Sequence, residues 1–241
     1  MQPRRRYLSY AEKPPEARFC ETVHERGGAM AMHRHMGSYA SFVLSGGYIE
    51  YGVDGRIEVA AGDLLIHPPL NAHGDLFHRS DARVFSVELP DDGAPGGTRA
   101  IRIRARRKFQ AELRRRPEQA AEMIFDEASR RDQHLSPLAP PRFTRTAAEA
   151  WQAGAPLSVQ DAASEAGVSA EHFSRRFKAH FGVAPAAYRS EWRFRRAANA
   201  IAKGGRLADA ASDCGYADQS HMTRDFTLRA QRAPRSFATA R

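Results

Sequence analysis

Asp161-Ala-Ala-Ser-Glu-Ala-Gly-Val168 and Asp209-Ala-Ala-Ser-Asp-Cys-Gly-Tyr216 are one pattern written twice, 48 positions apart, with seven of the eight pairs identical or similar. The correspondence continues with one extra residue in the second copy. It pairs Phe173-Ser174-Arg175 with Met222-Thr223-Arg224, Phe177 with Phe226, Pro185 with Pro234 and Tyr188 with Phe237. A self-similar stretch of this kind says more about architecture than any single motif.

Each copy reads as two helices around a glycine turn. In the first, Ser158 and Asp161 form an S-x-x-D cap, and Val159, Ala162, Ala163 and Ala166 form a small apolar face. Gly167 turns the chain, Ser169 caps the next helix, and Phe173, Phe177 and Phe181 recur every four residues. The second copy repeats this with Leu207, Ala210, Ala211, Cys214, Gly215, Asp218, Met222 and Phe226. Alanines on the first helix let a crossing helix approach closely, the packing of a helix-turn-helix, whose second helix enters the DNA major groove. The stretch from Ala186 to Ala202 predicts a connecting helix about 25 Å long at 1.5 Å per residue. Successive major-groove faces are about 34 Å apart, so one rigid helix could hold both recognition helices on one side of a duplex.

These residues resemble the AraC/XylS type of transcription regulator. The carriers are Asp161-Ala-Ala-x-x-Ala-Gly-Val-Ser169, His172-Phe-Ser-Arg-Arg-Phe-Lys178, Phe181-Gly182, Pro185 and Tyr188-Arg189. In the second copy they are Ala210-Ala211, Cys214-Gly215-Tyr216-Ala-Asp-Gln-Ser-His221, Thr223-Arg224-x-Phe226 and Pro234. Two positions depart from the family pattern. Thr227 stands where a lysine is usual, and Gln231 where a glycine usually ends the last helix, so that helix is expected to end differently.

Outward residues near the start of each recognition helix are the candidate base readers: Glu171, Ser174 and Arg175, then Gln219, Ser220, His221 and Arg224. Arginine can bond guanine through two donors, glutamine can do so with adenine, and glutamate accepts from cytosine. His172, Arg176, Lys178, Arg189, Arg193, Arg195 and Arg196 are candidate phosphate contacts, which add affinity without sequence information. Charge agrees: from Arg142 onward 16 Lys and Arg face 9 Asp and Glu, against 21 and 19 before it. A solvated basic surface is the alternative reading.

The first part of the chain has a different texture. Ser41–Leu44, Gly47–Tyr51, Arg56–Val59, Asp63–Ile66 and Arg83–Leu89 read as short strands, with turns at Ser45-Gly46-Gly47, Asp54-Gly55 and Ala61-Gly62-Asp63. Such spacing implies a sandwich or barrel. On His33-Arg-His35, Val43-Leu-Ser-Gly46, Gly62-Asp-x-x-x-x-Pro68 and His73, this part resembles a small cupin. The resemblance implies that His33, His35 and His73 converge in the interior, where they could hold a divalent transition metal or line an effector pocket. The metal-binding glutamate of cupins has no counterpart in sequence, since Tyr39 and Ala40 stand at its place; Tyr39 joins the candidate pocket. His67 and His78 are not expected as primary ligands. Simple packing of the histidines is the competing reading, and no cofactor is certain.

The fold expected is therefore α+β and multidomain: an N-terminal cupin-like β-barrel or sandwich with following helices, then an all-α domain with two helix-turn-helix motifs joined by a long helix. The boundaries are 1–100 for the sensor domain, 101–131 for a helical dimerisation or linker segment interrupted at Pro117, 132–141 for a proline-rich linker, and 142–241 for the DNA-binding domain, whose helix at Phe143–Ala153 packs under the first motif. Arg106, Arg107, Arg114, Arg115 and Arg116 read as a solvated face. Cys20 and Cys214 suggest neither a disulfide nor a thiolate site. No apolar run is long enough for a membrane span, and the Arg4-Arg5-Arg6 cluster precedes no hydrophobic stretch, so a cytoplasmic location is expected. Double-stranded DNA, a small-molecule effector, RNA polymerase and a second copy of the chain are the partners the resemblance implies, with activation commoner than repression and no enzymatic activity. A constitutive DNA-binding regulator with a vestigial barrel and a metal-dependent cupin enzyme are the alternatives.

Overall fold

The computed structural model describes residues 9–10, 19–90, 97–129 and 134–238. The chain divides into two compact units with the boundary between Leu138 and Ala139. The Arg4-Arg5-Arg6 cluster, most of the Pro90–Gly97 loop, and Asp132 and Gln133 of the proline-rich segment lie outside the described residues.

After a two-residue strand, Ser9–Tyr10 (β1), come Phe19–His24 (β2), Gly28–Arg34 (β3), Tyr39–Ser45 (β4), Gly47–Gly52 (β5), Gly55–Ala60 (β6), Asp63–His67 (β7), Ala72–Phe77 (β8), Ala82–Glu88 (β9) and Arg99–Arg102 (β10). Within the N-terminal unit one antiparallel sheet runs β3-β8-β5-β6 and the other β10-β7-β4-β9-β2. The five strands read from sequence are present. β2, β3, β8 and β10 carry too many polar and small residues to show as apolar runs.

Period-two alternation sorts the second sheet into two faces. Val43, Leu65, Val84 and Ala100 meet Tyr48, Ile57, Val59 and Phe77 of the first sheet, forming the sandwich interior. Their neighbours Phe42, Leu64, Phe85 and Ile101 face the other way, onto Phe109 and Leu113 of α1 (Arg106–Arg115) and Ile124 and Ala128 of α2 (Ala120–Ala128). A sheet covered on both faces explains why β4 is buried from Tyr39 to Leu44 without alternation. Arg106, expected on a solvated face, donates to the Ala61 carbonyl at 3.0 Å, while Arg115 and Arg116 pair with Glu112 at 2.8 and 2.5 Å. At the Ser45-Gly46-Gly47 turn Gly46 has φ 70°, and a Cβ there would lie 1.8 Å from the Asp81 carbonyl oxygen; the position admits glycine alone.

The C-terminal unit contains α3 (Arg142–Ala153), α4 (Val159–Glu165), α5 (Ala170–Phe181), α6 (Pro185–Ala202), α7 (Leu207–Asp213) and α8 (Gln219–Ala230). The caps are those the sequence suggests: the Asp161, His172 and His221 amides donate to Ser158 Oγ, Ser169 Oγ and Asp218 Oδ1 at 3.0, 3.2 and 2.6 Å. Gly167 and Gly215 turn the two motifs at φ 68° and 78°. Trp151 of α3 packs on Phe173 and Phe177, so α3 does lie under the first motif.

One expectation fails at the last cap. Gln231 does not end α8 differently; it takes the left-handed conformation itself, at φ 51° and ψ 20°, with its amide donating to the Thr227 carbonyl at 3.0 Å. The cost of a side chain there is borne locally. Gln231→Gly should raise the unfolding free energy of this unit by up to about 1 kcal/mol, measured by urea unfolding; no gain would mean that contacts of the glutamine side chain offset the strain.

Among the described residues no helix is long and apolar enough to cross a membrane.

Candidate functional site

The two second helices present the candidate readers. Glu171, Arg175 and Lys178 on α5 and Gln219, Ser220 and Arg224 on α8 are exposed, whereas His172, Ser174 and His221 are half-buried. Arg175 lies 3.5 Å from Glu171, both side chains well exposed; such a pair is worth little and is cheaply broken. His172 sits against the Phe143 ring at 6.2 Å. His221 is held in the turn, its Nδ1 accepting from the Ala217 amide at 3.4 Å and its ring edge-on to Tyr216.

The arginines of α6 mostly hold helices together. Arg195 is 2% exposed and lies 3.7 Å from Glu191, so it cannot reach a phosphate as the sequence reading had it. Arg196 donates to the Trp151 carbonyl at 2.8 Å, and Arg193 lies over the Tyr216 ring at 4.6 Å. A buried network ties α6 to α8: Arg229 bonds Glu191 at 2.6 Å, Asp225 at 2.8 Å and Ser190 at 2.7 Å, while Tyr216 donates to Asp225 at 2.9 Å. Burial, with Asp225 next to it, pushes the Tyr216 hydroxyl far above its usual range. It therefore stays a donor. The first motif has Val168 at this position and relies on aromatic packing instead.

Between the sheets lies a cavity of ≈ 200 Å³. His33, His73 and Tyr39 are buried and His35 is half-buried, all four on its wall. β3 ends at Arg34 and is bulged between Met30 and His33, so His35 lies just beyond the strand rather than on it, yet its Nε2 is 2.9 Å from His33 Nε2. Acceptors on the far side fix the tautomers. His33 Nδ1–H donates to the Ala31 carbonyl at 2.9 Å. His73 Nδ1–H donates to Asn71 Oδ1 at 2.9 Å, and Asn71 Nδ2 donates in turn to Asp54 at 2.8 Å. That leaves the His73 Nε2 lone pair facing inward, where the Tyr39 hydroxyl donates to it at 2.9 Å. Burial first, and then the neighbouring imidazoles, push His73 well below its usual pKa; burial also lowers His33. Neutral imidazoles with anchored far nitrogens are what metal ligation requires.

The structure adds residues that the sequence reading passed over. His67, discounted as a ligand, is 1% exposed, and its Nε2 is 2.8 Å from Glu50 Oε2. His78 is exposed and is not among the cavity-lining residues. Asp75 pairs with Glu50 in register on the adjacent strand, and burial together with Glu50 pushes its carboxyl well above the usual range. His67 Nδ1 and Asp75 Oδ1 are buried without a hydrogen-bond partner among the described residues. Two overlapping triads have ligand atoms within 4.8 Å of one another, His33-His35-His73 and Glu50-His67-His73. The available signal was the alternation of β5, which turns Tyr48 and Glu50 inward together.

Residues 162–240 match the family model of a helix-turn-helix domain. The C-terminal unit is a DNA-binding helix-turn-helix domain. With its two motifs in tandem it is of the AraC type, found in transcription regulators. Solved structures with some likeness include an AraC-type regulator from Chromobacterium violaceum, at 26% identity over 39% of this chain and 88% of that one, TM-score 0.37. Another is the C-terminal domain of AraT from Geobacillus stearothermophilus, at 19% identity over 42% and 86%, TM-score 0.39. A third is ToxT from Vibrio cholerae with an unsaturated fatty acid bound, at 9% identity over 94% and 96%, TM-score 0.38. A comparison with the curated proteins finds no match.

Proposed function

We propose that the chain is a sequence-specific transcription regulator, acting in the cytoplasm and more as an activator than a repressor, whose cupin-like N-terminal unit senses a small effector. The observation that carries it is the pair of matched recognition helices, each with an exposed arginine at the repeated position, Arg175 and Arg224, in the same chain as a sandwich with a histidine-lined cavity. Regulation requires that the effector bind the DNA-competent and incompetent states unequally, since equal binding shifts nothing. His33, His35 and His73 fit a divalent transition metal, which would be the signal itself or the anchor for an effector. RNA polymerase and a second copy of the chain are the further partners, by family resemblance.

A footprint of the full chain on sheared genomic DNA tests this reading. Protection of defined sites over two adjacent major-groove faces supports it; protection that is uniform in sequence and lost as salt rises overturns it. On such a site, Arg175→Ala and Arg224→Ala should each lose about 1–3 kcal/mol of base discrimination while leaving the unfolding midpoint in place. Lys178→Ala should weaken all sequences alike and flatten the salt dependence.

A further inference from the structure

The resemblance to cupins leaves a carboxylate missing, since Tyr39 and Ala40 stand where one would follow His35 in sequence. Another carboxylate reaches the cavity from a different strand. Glu50 on β5 is 4% exposed, lies on the cavity wall, and has an imidazole as its hydrogen-bond partner. No lysine or arginine lines this cavity among the described residues. A buried carboxylate without a cationic partner is costly, and three neutral imidazoles alone leave the charge of a dication uncompensated. Each deficiency is what the other would supply.

We propose that Glu50 and His67, together with His73, are ligands of a divalent transition-metal ion in this cavity, so that Glu50 takes the place of the missing glutamate from β5. The inference rests on the sensor reading above and names the chemistry of its site. Imidazole donors select zinc, nickel, copper or iron over calcium or magnesium, and one carboxylate with several imidazoles is a common ligand set for such ions. Glu50, His67 and His73 are all buried, with ligand atoms within 4.8 Å of one another. His73 belongs to both triads, and its Nδ1 is committed to Asn71, so its single inward nitrogen serves one ion, not two. Among the described residues no lysine or arginine is on the cavity wall to receive an organic anion. The unpartnered His67 Nδ1 and Asp75 Oδ1 are a second, independent sign that the pocket is built for a polar occupant.

The test uses the purified full chain and its Glu50→Gln and His67→Gln variants, titrated with Zn2+ by calorimetry and with Co2+ by visible absorption. Glu50→Gln keeps the size of the side chain and an oxygen for His67 while removing the charge. The expected result is a loss of at least ten-fold in affinity in both variants, with a changed Co2+ ligand-field spectrum. Wild-type affinity and spectrum in Glu50→Gln overturn the assignment and leave the ion to His33, His35 and His73. Absence of binding in the wild-type chain overturns it as well, and with it the metal part of the functional reading, whereas the footprint tests the regulator independently. Circular dichroism checks the fold of each variant. Should Glu50→Gln not fold, Glu50→Asp keeps the charge but withdraws the carboxylate, and an unchanged Co2+ spectrum there overturns the proposal equally.

Discussion

Arg229→Ala should destabilise the C-terminal unit by about 3–5 kcal/mol. The reason is what stays behind. The Arg229 side chain is only 10% exposed. Its guanidinium satisfies Glu191, itself 1% exposed, and Asp225 from α8. Without it Glu191, Asp225 and the Ser190 hydroxyl each lose a short charge-assisted bond at once, while Asp225 keeps the Tyr216 hydroxyl and Glu191 keeps Arg195 at 3.7 Å. Arg229→Lys should recover part of the loss, since an ammonium keeps the charge but cannot fork to three acceptors. Urea unfolding followed on the C-terminal transition measures it, and a change below about 1 kcal/mol would mean that water reaches the carboxylates. In a footprint, the contacts of α8 should disappear before those of α5.

Trp151→Ala should cost the first motif about as much, 3–5 kcal/mol. Trp151 is 2% exposed, meets Phe177 edge-on at 5.4 Å and Phe173 at 6.2 Å, and its Nε1–H donates to the Leu157 carbonyl at 2.8 Å. Replacement leaves a cavity among Phe173, Phe177 and Tyr188 and takes the donor from Leu157. This residue precedes the 162–240 match, so the prediction also says that α3 is part of the folding unit. A loss under about 1.5 kcal/mol would instead make α3 dispensable. Here α5 should lose its footprint first, the mirror image of Arg229→Ala.

The two motifs were legible because helical patterns are local. Caps at Ser158, Ser169 and Asp218, turns at Gly167 and Gly215, and the Phe173-Phe177-Phe181 stripe each declare themselves within a few residues. What local pattern could not reveal was which arginines α6 spends on its own unit: Arg195 and Arg196 sit in the same basic run, and only packing distinguishes a buried clamp from a surface charge. The cavity shows the same limit more sharply. His33, His35 and His73 were legible as a spaced motif, whereas Glu50 and His67, 17 positions apart, stand on different sheets and meet only because the two sheets pack face to face, so no short window contains both. The strands β2, β3, β8 and β10 escaped because their polar and small residues face a polar interior or an edge.

The tie from His73 through Asn71 to Asp54 ends at the β5–β6 turn, and that turn also grips the last residues of the N-terminal unit. The Leu138 amide donates to the Arg56 carbonyl just past the turn at 2.6 Å, and Gly55, lacking a side chain, makes room for Pro137, while the Leu135 amide is held by β10, donating to the Ala100 carbonyl at 2.8 Å. Between Leu138 and the start of α3 at Arg142 stand Ala139, Pro140 and Pro141 alone. Two prolines in three residues make a stiff spacer rather than a slack tether. The ring that faces the cavity and the anchor of Leu138 thus hang on one hairpin, at Asp54 and Arg56, two residues apart.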